Sequence, residues 1–229
     1  MKAPVRAYTF HKTDEGPFEV ECMNSVVLRG ALAKPAEWSH TSHEARFFRL
    51  WLDVSRLSGK DDRLRILAAE DALPGSGLRE GDEVEVSGQM RTYNNKSGVG
   101  GRLIVSALAR SVRPSGGPHI NHVFLSGTLC RTPGYRKTPL GREICDIMLA
   151  VPRTYSRTDY LPLIAWGGAA RACAEMETGQ PLHVAGRFQS RVYTKVIDGE
   201  PVDMTAYEVS VVRLMASEEE LTEAAQDTV

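Results

Sequence analysis

The chain has 229 residues, 42% of them hydrophobic, which suits a packed globule of one large domain or two ordinary ones. It holds no run of about 18 apolar residues, and its start, MKAPVRAYTFHKTDEG, lacks the apolar core of a secretory signal, so a membrane span and a signal peptide are set aside. The net charge of −1 conceals a mildly basic body: residues 1–118 hold 17 Lys/Arg against 15 Asp/Glu, residues 119–216 hold 11 against 9, and residues 217–229 hold five acids and no base.

The first element in chain order is NSVVLRGAL (24–32), whose apolar residues alternate as in a strand. LDVSRLSGKDDRL (52–64) follows. AAEDALPGSGLREG (68–81) then offers a helix slot that Pro74, Gly75 and Gly77 shorten or break. GDEVEVSG (81–88), RTYNN (91–95) and LIVSALA (103–109) complete this half. KSGVGGR (96–102) between them does not fit a phosphate-binding loop and reads as a hairpin. RPSGGPH (113–119) clusters proline and glycine, as a linker does.

Beyond the linker the chain repeats itself. NHVFLSGTL (121–129) copies NSVVLRGAL at an offset of 97. LAVPRTYSRTDYL (149–161) lies over LDVSRLSGKDDRL at the same offset. GQPLHVAG (179–186) lies over GDEVEVSG, and RVYTK (191–195) over RTYNN, with small insertions between. The period is too long for a solenoid and reads as two copies of one domain. This divides the chain into residues 1–113, a linker at 114–119, residues 120–216, and an acidic tail at 217–229 expected to be solvated and flexible.

Within the second copy the strands are VFLSGTL, EICDIMLAV (143–151), LPLIAW (161–166), PLHVAGRF (181–188) and AYEVSVVRL (206–214). A helix candidate, AARACAEME (169–177), sits after the third strand and stops before Gly179. Three strands, a helix and two strands is the order of an OB-fold, a five-stranded Greek-key barrel. The expected fold is therefore all-β, two tandem OB barrels with a short helix in the second.

The second copy resembles the bacterial single-stranded DNA-binding protein family across almost all of residues 120–215. The resemblance is carried by NHVFLSGTL, LAVPRTYSRTDYLPLIAWG, GRFQSRVY and YEVSVVRL. The first copy resembles it more loosely. In that family, aromatic side chains on the open barrel face stack with bases. The matching positions are Tyr155 at the end of the second strand, Tyr160 and Trp166 at the two ends of the third, and Tyr193 after the fourth. The chemistry fits independently. Every base has a π-face, so stacking on Tyr or Trp needs no particular sequence. Arg153, Arg157, Arg187, Arg191 and Lys195 flank these aromatics and suit phosphates. In the first copy the equivalents read as Leu57, Arg63, Ala69 and Tyr93, of which only Tyr93 is aromatic, with Arg56, Arg63 and Arg91 as candidate backbone contacts. The sequence leaves open which side of its strand Trp51 faces. Aromatics near strand ends also serve as core or cross-strand partners, and that is the competing reading of each.

Other signals are weaker. His40/His43 and His119/His122 have no Cys or carboxylate set to complete a metal site, and read as surface loops. Asp198-Gly199 marks a turn between the fourth and fifth strands. Cys22, Cys130, Cys145 and Cys173 form no CxxC pair, in keeping with a reduced, cytoplasmic protein, and the resemblance implies association with the nucleoid. No catalytic set, metal or cofactor is expected. The leading reading is sequence-tolerant binding of single-stranded DNA in replication, recombination or repair. The alternatives are a primosome-like accessory protein acting through protein contacts, and an RNA-binding OB protein. The resemblance implies a homodimer supplying four barrels. It also places recruitment of replication or repair proteins in the acidic tail, although the family's Asp/Pro/Phe tip is missing from AAQDTV.

Overall fold

The computed structural model describes residues 23–75, 77–95, 103–197 and 199–227. KSGVGGR, Cys22 and Asp198 lie outside them. The first strand set is β1 (Asn24–Leu32), β2 (Glu37–Ser42), β3 (Ala45–Ser55), β4 (Asp61–Ala69), β5 (Glu83–Asn94) and β6 (Leu103–Pro114). The second is β7 (Ile120–Leu129), β8 (Gly134–Lys137), β9 (Glu143–Arg153), β10 (Arg157–Trp166), β11 (Pro181–Ile197) and β12 (Glu200–Met215). Helix α1 (Gly167–Ala174) follows β10, and α2 (Glu218–Gln226) follows β12.

Each set closes as an OB barrel. β1 pairs with both β3 and β5, β3 with β4, β5 with β6, and β4 with β6 in parallel. β7, β9, β10, β12 and β11 repeat that circuit, including the parallel closure of Leu163 and Ile164 on Val209 and Ser210. Strict alternation does the local work. β1 buries Asn24, Val26, Leu28, Gly30 and Leu32, every second residue, and so turns one face to the core. β2 and β8 are short outer strands that sequence patterning did not reveal. In the first barrel the helix slot, interrupted by Pro74, holds only a 3-10 turn at Glu70–Ala72.

The repeated strand has a structural explanation. A side chain at Gly30 would stand 2.2 Å from the Asp53 carbonyl oxygen, and at Gly127 2.5 Å from that of Ala150, so both copies need glycine where the first strand crosses the second. Gly88 and Gly186 are equally confined, 2.1 Å from the Leu108 carbonyl of β6 and 2.6 Å from the Ser210 carbonyl of β12, each at a β-bulge. The asparagine opening each repeat also has a job. Asn24 accepts from the Met90 N–H and donates to its carbonyl, and Asn121 does the same with Phe188, at the same places in the two barrels.

The chain crosses between barrels at residues 115–119, yet the barrels are joined elsewhere. β1 and β7 pair antiparallel, Asn24 opposite Leu125 through Arg29 opposite Ile120, so hydrogen bonding runs through all twelve strands. Reciprocal ties flank this seam. Fully buried Asp62 of the first barrel accepts from the Ser190 N–H of the second at 2.8 Å. Fully buried Asp159 of the second accepts from the Thr92 N–H of the first, also at 2.8 Å. His119 anchors the crossover, its Nδ1 accepting from the Ser55 N–H at 2.7 Å.

The tail departs from expectation. Residues 218–226 form α2, capped by the Ser217 hydroxyl, which accepts from the Glu220 N–H. Leu221 is fully buried with Phe124 and Met215. Glu218 accepts from the Met23 N–H, and Glu220 pairs with Arg213 at 2.7 Å. The acidic residues thus line a docked helix rather than a free solvated segment. Their number hides the apolar residues Leu221, Ala224 and Ala225 that hold it.

Candidate nucleic-acid interface

On β10, Leu161, Leu163 and Ala165 point into the core, which turns Tyr160 and Trp166 outward on the opposite phase. They are 49% and 39% exposed, and a strand rise of about 3.3 Å per residue separates them by roughly 20 Å. Tyr155 occupies the tip of the β9–β10 hairpin and is 92% exposed. It and Ser156 have φ of 59° and 53°, left-handed values that non-glycine residues hold at a cost of about 1–2 kcal/mol each. Tyr193 stands on the projecting β11–β12 hairpin, 36% exposed, with the Arg191 guanidinium 5.6 Å from its ring centre. All four aromatics named from sequence therefore reach the surface.

The candidate cations separate into two groups. Arg157, Arg187 and Lys195 have no carboxylate within ion-pair reach among the described residues. Arg187, however, lines a cavity of about 410 Å³ beside His119, His122 and Arg213, which neither Tyr160 nor Trp166 lines. Burial, and then Arg187, hold the His122 imidazole below its ordinary pKa. Arg191 shares Glu208 at 3.5 Å. Arg153 lies 3.5 Å from buried Asp159. Arg91 also reaches Asp159, at 3.3 Å, although burial pulls its own pKa down. Arg56 makes a two-pronged contact with Asp62, which raises its pKa, and Arg63 does the same with Asp53 across the sheet. The structure thus gives Arg56, Arg63, Arg91 and Arg153 internal partners. For Arg56, Arg91 and Arg153 those partners are the aspartates of the seam.

The register corrects two equivalences between copies. Ser55 opposes Asp61 and Pro152 opposes Thr158, so the offset of 97 runs unbroken through the hairpin and Ser58, not Leu57, stands in the place of Tyr155. Past the bulge the offset is 98, as Met90/Phe188 and Thr92/Ser190 show, so Tyr93 matches Arg191 rather than Tyr193. The inserted residues lengthen the β11–β12 hairpin and put Tyr193 two residue pairs further from the barrel. Tyr93 is itself largely buried, which raises the pKa of its phenol against the pull of Arg153 and Arg91.

One group went unrecognised in the sequence, and the side that Trp51 faces was left open. Arg136 on β8 pairs with Ile144, which pairs with Trp166, so Arg136 shares the sheet face that carries Trp166. A strand of four residues left no periodicity to find it by. On β3, burial of Leu50, Leu52 and Val54 turns Trp51 and Arg49 outward, a placement that alternation alone would have given.

The chain matches the single-strand binding protein family over residues 120–215. The second barrel belongs to that family. Similarity extends into the first barrel. The single-stranded DNA-binding protein of Deinococcus radiodurans is 25% identical over 85% of this chain and 76% of its own. That of Thermus thermophilus is 27% identical over 75% and 76%. The crystal structure of a deletion mutant of the Thermus aquaticus single-stranded DNA binding protein superposes with a TM-score of 0.68, at 24% identity, over 85% of this chain and 94% of that one. That likeness is one of fold: two strand sets with a helix in the second. Among the described residues no helix is long and apolar enough to cross a membrane, and no group of three His, Cys, Asp or Glu is placed to hold a metal.

Proposed function

We propose that the chain binds single-stranded DNA without demanding a sequence, in replication, recombination or repair. Bases stack on Tyr155, Tyr160, Trp166 and Tyr193, and Arg157, Arg191 and Lys195 neutralise phosphates. The observation that carries this is the exposure of all four aromatics on the second barrel, where Phe124 and Phe188 are buried and Tyr207 packs against the core; Tyr135, 40% exposed on β8, is instead tied to Glu143 by its hydroxyl. Left-handed Tyr155 and Ser156 close the tight β9–β10 hairpin and set the Tyr155 ring at its exposed tip. Residues 1–113 and 120–216 act as the two binding units, and a dimer would supply four. The setting that follows is the cytoplasmic nucleoid.

The test is titration with dT and rU oligomers of increasing length at two salt concentrations, read by tryptophan fluorescence. Stacking on Trp166 quenches emission. Phosphate contacts make log K fall with log[salt] by about 0.7 per phosphate neutralised. Salt-independent binding would remove the role given to the basic residues, and equal affinity for rU and dT would widen the substrate to RNA. No quench at any length would remove the stacking role of Trp166.

A further inference from the structure

Phe124 and Met215 are buried outside the barrel core. Val123, Leu125, Val184 and Leu214 turn into that core, so alternation points Phe124, Ala185 and Met215 away from it. The outer face of an antiparallel sheet is commonly solvated and polar. In the first barrel the place of Phe124 is taken by Val27, half-buried, and no helix lies over it among the described residues. In the second, α2 covers the patch: Phe124 and Met215 are 4% and 7% exposed, in one cluster with Leu221, Ala224 and Ala225. The patch continues past the helix. A cavity of about 410 Å³ opens beside it, lined by Phe124, Met215 and Ala224 and by Leu57 and Val212, which stand exposed.

α2 also supplies acids that this half of the face lacks. Residues 120–126, 181–187 and 212–215 hold His122, His183, Arg187 and Arg213 and no carboxylate, and Glu220 of α2 takes Arg213. Across the β1–β7 seam stand Glu83 and Glu85 of β5, the second shared between Arg29 and Arg113. A two-fold axis along the seam, between two stacked faces, would lay that half of one copy on the basic, apolar half of the other. α2 occupies the ground such a copy would need. Its hold is local. Nine residues are too few for a stable helix in water, so the packing of Leu221, the Ser217 cap and the contacts of Glu218 and Glu220 keep it folded. A short terminal element of this kind opens while the rest of the fold persists.

We infer that α2 is a detachable cover on a self-association face. Docked, it keeps the chain single; lifted, it lets a second copy of this chain take its place over Phe124 and Met215. The dimer considered above then forms only from chains whose helix has lifted. The inference goes beyond the DNA-binding reading and is tested without DNA, so either can fail alone.

The test is sedimentation velocity of the 229-residue chain over a range of concentrations. The wild-type protein should be largely monomeric. Leu221→Ala should tighten self-association on the order of tenfold or more, because both copies must be open to pair and the substitution raises the open fraction. Its binding of a hydrophobic dye should fall as concentration rises and the copies cover each other. Adding Val212→Asp, at an exposed position on the same face, should return the protein to monomer. Should Leu221→Ala lose its cooperative melt, Glu220→Ala removes the bonds to Arg213 and to the Ala216 N–H and should give the same shift, smaller. Equal association of the wild type and both helix variants overturns the proposal. So does a wild-type dimer that resists proteolysis after residue 216, because the pair then forms with α2 docked. Association that ignores Val212→Asp puts the contact elsewhere, and a Leu221→Ala monomer that binds dye at every concentration gives the opened face another occupant; either result also overturns it.

Discussion

Replacing Asp159 by alanine should cost about 3–5 kcal/mol of stability, far more than a surface ion pair. Its carboxylate is fully buried and accepts from the Thr92 N–H at 2.8 Å, the Thr92 hydroxyl at 3.2 Å and Arg91 at 3.3 Å, with Arg153 at 3.5 Å. An exposed pair is worth about 0–1 kcal/mol, but removing one partner of a buried pair strands the other charge, at about 3–5 kcal/mol. Arg91 would be that stranded charge, since its Nε already lacks a hydrogen-bond partner. The Asn variant keeps an acceptor for Thr92 and should lose less, about 1.5–3 kcal/mol for a hydrogen bond to a charged group. The assay is urea unfolding followed by tryptophan emission and by circular dichroism. The wild-type chain should unfold in one transition, because β1–β7 pairing and both aspartates tie the barrels. Asp159→Ala should shift the midpoint down or separate the two signals. The Tyr160 N–H donates to the Thr92 hydroxyl, so the loosened seam should also weaken DNA binding through the base of the Tyr160 platform. A loss below about 1 kcal/mol with coincident transitions would refute this account of the seam.

Trp166→Ala and Tyr193→Ala should each weaken DNA binding by about 1–3 kcal/mol, roughly 5- to 150-fold by equilibrium titration, while leaving a cooperative melt. Tyr93→Ala should instead lower the melting temperature, because its ring is largely buried; an unchanged melt would return it to the list of exposed platforms. Leu221→Ala should undock α2, seen as new proteolysis after residue 216 and as binding of a hydrophobic dye to exposed Phe124 and Met215, with the barrels intact. Freed acidic residues should then compete with DNA at low salt, so affinity that rises on this change would contradict the docked arrangement. Burial raises the Cys173 pKa to about 11, so at pH 8 roughly one thiol in a thousand is ionised. Among the three described cysteines, alkylation with mass spectrometry should label exposed Cys130 first and spare Cys145 and Cys173 until unfolding.

The barrels were legible because their signals are local. Alternation marked the main strands, Pro74 and Gly75 the missing helix, and a fixed offset the duplication. The four aromatics of the second barrel were named from the family resemblance, and the structure shows them exposed. What could not be read was pairing between distant segments. Nothing in LDVSRLSGKDDRL says that Asp62 is buried against Ser190, since the partner lies 128 residues away. Arg56, Arg63 and Arg91 looked like free cations for the same reason: an arginine's partner is chosen by the fold. α2 was misjudged from composition, because three buried or half-buried apolar side chains on one face outweigh the acids on the other.

Comparing the copies with each other shows what duplication holds fixed. Asn24 and Asn121, Gly30 and Gly127, Asp62 and Asp159, and Gly88 and Gly186 coincide, and each closes a barrel or locks the seam. Outward positions differ: Trp51 against Met148, Arg63 against Tyr160, Arg65 against Pro162, and Ala69 against Trp166. Packing constrains the first group and leaves the second free. The result is a frame carrying one face rich in arginine and one with exposed rings. For a strand that reaches both barrels, the second contact is intramolecular and its effective concentration high. Affinity should therefore climb steeply once an oligomer spans both barrels. A smooth increase through that length would mean the faces do not share one strand.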